Sequence, residues 1–302
     1  MLNKDMFAPL EREIIEVQKQ TETLGYWQDA WLRLKKNKMA TLGLAIILIL
    51  ILAAIFVPIF SVHTYDEQNL MLPNQSPSFE HWFGTDNLGR DIFIRVLYGA
   101  RISLAIGIVA SLINFFIGVI YGGISGFFGG KVDRIMMNIV DILYSIPTLL
   151  YVILLMVVLK PGLTNIFIAL GIGYWLQMAR IVRGQILALK QQEFVLAARS
   201  IGASKTRILL RHLIPNTMGA IVVTMTLAIP DAIFTEAFLS FIGLGVSAPM
   251  ASWGVLASEG INNIRAYPFQ LFFPAAAISI TMLAFNFLGD GLRDVLDPKM
   301  RR

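Results

Sequence analysis

Three carboxylates, Asp141, Asp231 and Glu236, fall inside otherwise apolar stretches of this 302-residue chain. A charge in hydrocarbon is costly, so each marks either a pathway or gate contact or a hydrogen bond that orders helices, and both readings stay open. Asp141 lies roughly 10 Å into its apolar run at 1.5 Å per residue. Asp231, next to Pro230, and Glu236 lie in the outer half of a later run. Other chemistry is sparse. His63 and His81 lie on the outer side and His212 on the inner side, without metal-ligand spacing, so no metal site is expected. Gly202-Ala-Ser-Lys-Thr206 lacks the glycine before its lysine, and Gly129-Gly-Lys131 lacks the following Ser or Thr. Neither is a Walker loop, so ATP is not expected on this chain. No Gly-x-Ser-x-Gly elbow or His-Glu-x-x-His helix is present, and there is no cysteine. The residues predict no catalytic set.

The elements that would position these groups are membrane helices. With 56% hydrophobic and 15% charged residues, the composition is that of an all-α integral membrane protein. About six transmembrane helices are predicted, near 41–60, 102–124, 135–159, 164–182, 216–240 and 270–289, each about 20 residues long. Lysine and arginine cluster before the first span, in the second and fourth loops and at the C-terminus, which predicts that both termini are cytoplasmic. The net charge of +5 therefore sits beside spans, and no nucleic acid is expected. Glycines 107, 118, 122, 123 and 126, with Ala105 and Ala110, predict close helix packing. No cleavable leader is read from the sequence, because the first apolar run has full spanning length. Residues 1–40 read as a cytoplasmic tail with an interfacial amphipathic helix, in which Trp27, Ala30, Trp31 and Leu34 share the face laid on lipid. A docking site for a partner is the alternative reading of that helix. Residues 291–302 read as a second tail.

A hairpin at 190–215 stands out within this apolar chain. Phe194, Ala197, Ala198 and Ile201 share one helical stripe behind Glu193, and Gly202 supplies a left-handed stop before a second helix leading to Pro215. Such a surface facing the cytoplasm predicts a partner. On the other side, segment 61–101 and the loop near 243–269 are long for connectors, and predict a docking platform or outer gate. Asp86, Arg90, Asp91 and Trp253 are its candidates, with Asp86/Arg90 and Asp91/Arg95 spaced to support a short surface helix.

The hairpin resembles the signature of transmembrane subunits of bacterial ATP-binding-cassette (ABC) importers. Ala197, Ala198 and Gly202 match the signature, while Leu196 stands where the family has Glu. Phe83-Gly-Thr-Asp-Asn-Leu-Gly-Arg-Asp91, Tyr98-Gly-Ala-Arg-Ile-Ser-Leu104, Ala179-Arg-Ile-Val-Arg-Gly184, Phe238-Leu-Ser-Phe-Ile-Gly-Leu-Gly245 and the run Asn286–Pro298 are similar to the oligopeptide/dipeptide/nickel permease branch. The resemblance covers the chain from about Trp27 onward, and looks most like the second (C-type) permease subunit of an oligopeptide importer. It implies a type I ABC importer permease fold over 102–290, in the bacterial cytoplasmic (inner) membrane. It also implies a homologous second permease subunit, two cytoplasmic ABC ATPase subunits holding ATP and Mg2+, an extracytoplasmic peptide-binding protein, a peptide substrate and surrounding membrane lipid. Glu193, Phe194, Ala197, Ala198, Ile201 and Gly202 would then couple to the ATPase. Dipeptides, nickel, haem or antimicrobial peptides are alternative cargoes. A stand-alone secondary transporter would need an internal repeat and matching broken helices. A membrane enzyme would need paired groups at one depth, whereas Asp141 and Asp231 read as lying at different depths.

Overall fold

The computed structural model describes residues 25–247 and 249–296; the remainder of both predicted tails lies outside the described residues. The chain forms α1 (Tyr26–Lys36), α2 (Lys38–Phe60), α3 (Ile92–Phe128), α4 (Gly130–Tyr144), α5 (Thr148–Leu159), α6 (Leu163–Gly173), α7 (Trp175–Leu189), α8 (Glu193–Ser200), α9 (Lys205–Arg207), α10 (Ile214–Phe241), α11 (Trp253–Ile261) and α12 (Phe269–Leu296). Among the described residues, five helical stretches are long and apolar enough to cross a membrane. The bent pair α4 and α5 makes a sixth if it is one span.

The central helix is α3, which packs on α7, α10 and α2. It begins ten residues before the predicted start at 102, because Asp91 caps it: the Ile94 amide donates to Asp91 Oδ1 at 2.9 Å. The basic residues that truncated the apolar window, Arg95 and Arg101, find partners inside the fold. Pro58 has no N–H to give the Ala54 carbonyl. Arg101 fills that vacancy from α3, with Nε 2.5 Å from the Ala54 oxygen and a second nitrogen 2.9 Å from that of Ile55.

Small residues set the spacing of α3 and α7. A Cβ on Gly122 would lie 2.3 Å from the Ala179 carbonyl oxygen, and one on Gly118 would lie 2.5 Å from Met178 Cβ. These are backbone-level approaches of the kind that hold helices together without a hydrophobic drive. Gly123, which shared the prediction, meets only side-chain tips beyond 3.8 Å. A Gly122→Leu variant is expected to lose at least about 1–3 kcal/mol to overpacking. The check is a lower melting temperature in detergent, with Gly123→Leu much less affected.

The third predicted span is broken. Between α4 and α5, Ser145-Ile-Pro147 turns the chain by 77°. The residue before a proline is pushed out of the helical region, so the break falls where the sequence demands it. Residues 141–147 are all exposed on the isolated chain. One such broken pair is found among the described residues, with no matching one in the other half.

At the N-terminal end, α1 does not lay its whole predicted face outward. Ala30 and Leu34, four residues apart, are buried against Ala40, Val295 and Leu296, while Trp27 and Trp31 are exposed beside them. Thus α1 docks along one edge onto the end of α12.

Candidate functional site

Two ends of the bundle carry the candidate residues. The hairpin lies at the end where α3 terminates, since Lys190 Nζ donates to the Phe127 carbonyl. It is held from beneath. Val195 and Ala198, three apart on α8, are buried with Val182 and Ile186 of α7 and with Ile208 and Leu213. Phe194, Ala197 and Ile201 face outward, and Ile201 is 86% exposed. The expected four-residue stripe is therefore split: Ala198 belongs to the inner face, because a stripe of about 100° spans both the contact and its flank. Leu196, not predicted, joins the exposed set. Glu193 opens α8, where a negative charge favours the helix N-terminus.

The stop after α8 is a Schellman motif. The Gly202 amide donates to the Arg199 carbonyl at 2.9 Å and the Ala203 amide to that of Ala198 at 3.0 Å. Gly202 has φ +80°, and a Cβ there would meet nothing within 4 Å. Backbone conformation, not space, requires the glycine. Ser204 then caps α9, and Ile208–Leu213 widen into a π-turn before α10. Pro215 accounts for the widening, since its ring clashes with the carbonyl four residues back. Asn216 Nδ2 takes up the His212 carbonyl at 2.5 Å.

The opposite end holds a charged network. Asp86 Oδ1 accepts the Leu88 and Arg90 amides at 2.9 and 3.0 Å. Its Oδ2 accepts Arg90 Nε and an Arg95 nitrogen, both at 2.6 Å. Glu259, missed in the sequence, receives the same Arg95 nitrogen at 2.7 Å and Arg90 at 3.3 Å. Gly89, at φ +71°, closes this turn, and a Cβ on it would lie 1.9 Å from the Asn69 carbonyl oxygen. The Asp86/Arg90 pair therefore forms in a turn and not on a surface helix. Asp91 pairs with His81 at 2.8 Å and not with Arg95.

Of the predicted platform residues, Asp86, Asp91 and Trp253 are buried, and Arg90 is nearly so. Trp253 in particular is a core residue. Its indole nitrogen donates to the Val96 carbonyl at 2.8 Å and its amide to Ser103 Oγ at 3.2 Å. A glycine-rich loop suggested exposure, but α11 folds back onto α3 and α12. His63 and His81 also come together beside Asp91, which their spacing of 18 residues did not suggest.

The three intramembrane carboxylates separate by environment. Glu236 is fully buried and bonded to Ser252 at 2.5 Å, Ser240 at 2.6 Å and Ser103 at 3.4 Å, joining α10, α11 and α3. Asp141 is half-exposed and pairs with Arg180 at 2.5 Å, whose guanidinium lies over Tyr144. Asp231 is exposed. Its backbone carbonyl accepts Tyr174 Oη at 3.0 Å, and its carboxylate has no hydrogen-bond partner among the described residues.

Comparison with known proteins adds the family. A model described as "Binding-protein-dependent transport system inner membrane component" matches residues 115–302, and one described as "N-terminal TM domain of oligopeptide transport permease C" matches residues 25–77. The chain is 56% identical to the oligopeptide transport system permease protein of Bacillus subtilis (strain 168) over 99% of this chain and 98% of the relative. It is 57% identical to the dipeptide transport system permease protein of the same organism, over 93% and 88%. It is 45% identical to the glutathione transport system permease protein of Escherichia coli O6:K15:H31 (strain 536 / UPEC), over 91% of each.

Proposed function

The chain belongs to the binding-protein-dependent transport system inner membrane components, and on that premise we propose that it is the second permease subunit of an ABC importer for oligopeptides. It is a multi-pass, all-helical protein of the inner membrane with the type I permease fold. In this reading both termini and the hairpin face the cytoplasm. A homologous permease completes the passage, two ATPase subunits carry ATP, Mg2+ and hydrolysis, and an extracytoplasmic peptide-binding protein delivers cargo. This chain contributes no catalytic group.

The observation that carries the reading is the hairpin's two-faced build. Val195 and Ala198 fasten it to the bundle, while Phe194, Ala197 and Ile201 stand free. Exposed apolar side chains outside the hydrocarbon region ask for a protein surface. Movement of an ATPase cleft around Ile201 would pass through Gly202 and α9 into α10. The break at 145–147 supports a second permease. Irregular backbone at membrane depth is tolerated only against protein or a water-filled passage. Exposed Asp231 needs the same shelter, which favours a place on the pathway.

The peptide cargo rests on the relatives' names. Oligopeptide and dipeptide relatives are about equally identical, at 56% and 57%, so overall identity does not separate them. The N-terminal match over 25–77 favours the oligopeptide type. Because the chain has no cysteine, an Ile201→Cys variant carries a single thiol. After purification with its bound partners, that thiol is expected to crosslink an ATPase subunit, and the assembly to hydrolyse ATP in response to peptide. A thiol that captures no ATPase would end the coupling reading. Stimulation by nickel and not by peptide would end the peptide reading alone.

A further inference from the structure

We propose that His63, His81 and Asp91 bind a divalent transition-metal ion of the zinc class, clipping the end of α2 to the start of α3. One ligand atom from each residue lies within 4.8 Å of the other two. His63 is three residues past the end of α2, and Asp91 is the N-cap of α3. An ion here would therefore tie together the two ends of the segment that joins these helices.

The donor set selects the ion. Two imidazoles and one carboxylate suit zinc and its neighbours, whereas magnesium and calcium prefer oxygen alone. Part of the geometry is already in place. Asp91 is aimed by the helix it caps, with Oδ1 on the Ile94 amide at 2.9 Å and Oδ2 on His81 Nδ1 at 2.8 Å. The His63 ring lies against that of His81, with centroids 4.8 Å apart. Among the described residues the His63 ring has no hydrogen bond, so nothing holds it away from the ion.

Entry of the ion displaces the His81–Asp91 hydrogen bond: the neutral imidazole carries its one proton on Nε2, and its Nδ1 lone pair and the Asp91 carboxylate turn to the ion. The route is an open cleft of about 400 Å³ that His63 and Asp91 line. Phe60, Trp82 and Phe93 form its apolar walls, and Glu80 lines it too, offering an oxygen as fourth ligand where water does not. Apolar walls lower the local dielectric and strengthen the attraction between the cation and Asp91.

The test uses the full-length chain, purified in detergent with a tag free of histidine and titrated with zinc chloride against a chromophoric chelator. Background is low, because the chain has three histidines and no cysteine. One zinc per chain is expected. His63→Ala, which removes a half-buried ring with no hydrogen bond, is expected to weaken binding by at least roughly tenfold to a hundredfold, the cost of losing even an outer partner of a metal ligand. His212→Ala is expected to bind as wild type. Should His81→Ala fail to fold, the His63 variant decides alone. Absence of stoichiometric zinc binding by the wild type, or binding that survives His63→Ala, overturns the proposal.

Discussion

Replacing Gly202 by Asp is expected to abolish peptide uptake while leaving the protein inserted and folded. The two halves of that result have separate causes. Inside the chain the change is mild. At φ +80° an L-residue costs about 1–2 kcal/mol, and aspartate is among the residues that best tolerate this conformation. The new Cβ meets nothing within 4 Å, so no clash threatens the Schellman motif. Outside the chain the change is severe. The corner beside exposed Ile201 would carry a charge into the proposed ATPase cleft, and burying an unpaired carboxylate there outweighs the remaining contact. Labelled-peptide uptake should fall to background, with unchanged membrane levels of the subunit and less ATPase recovered with it. Gly202→Asn provides the control, since it has the same backbone tolerance without the charge and should retain measurable uptake. Full transport by the Asp variant would reduce Gly202 to a helix stop.

The second large effect is structural. Asp86→Ala removes the acceptor for two backbone amides and two guanidinium groups at once. Arg95 is 2% exposed, and its Nε already lacks a partner. Among the described residues only Glu259, 41% exposed, would remain to balance both arginines. Stranding a buried charge costs about 3–5 kcal/mol. The expected result is a strongly lowered melting temperature and little subunit in the membrane. Replacing Arg95 by Met in the same chain should recover part of that loss, because removing both partners is far cheaper than removing one. An unchanged melting curve for Asp86→Ala would mean that the network contributes nothing to stability.

Where the sequence was legible, the signal was local. Runs of about 20 apolar residues located the spans, and the period of α8 together with Gly202 located the hairpin. Where it misled, a partner far along the chain decided. Arg95 and Arg101 made residues 92–101 look like loop, yet one is sealed by Asp86 and Glu259 and the other donates to the Ala54 carbonyl that Pro58 leaves open. Trp253 looked exposed among glycines, but Val96 and Ser103 draw it inside. The span over 135–159 was read as unbroken, and the 77° turn at Ser145-Ile-Pro147 went unforeseen because Pro147, set in an apolar run, did not interrupt the hydropathy that defined the span. His63, His81 and Asp91 are brought side by side only by a fold-back that no spacing rule describes.

The wide turn at 208–213 leaves a trace in how the whole segment must be phased. Each residue of an α-helix advances the chain by about 100° around the axis. A π-turn absorbs one surplus residue, so the helices on either side keep step as though the chain were one residue shorter. A helical wheel drawn unbroken from Lys205 to Phe241 therefore slips by about one position at Pro215. The compass heading of the hairpin relative to the membrane-facing sides of α10 is thus fixed by a proline, like an indexing pin between two dials.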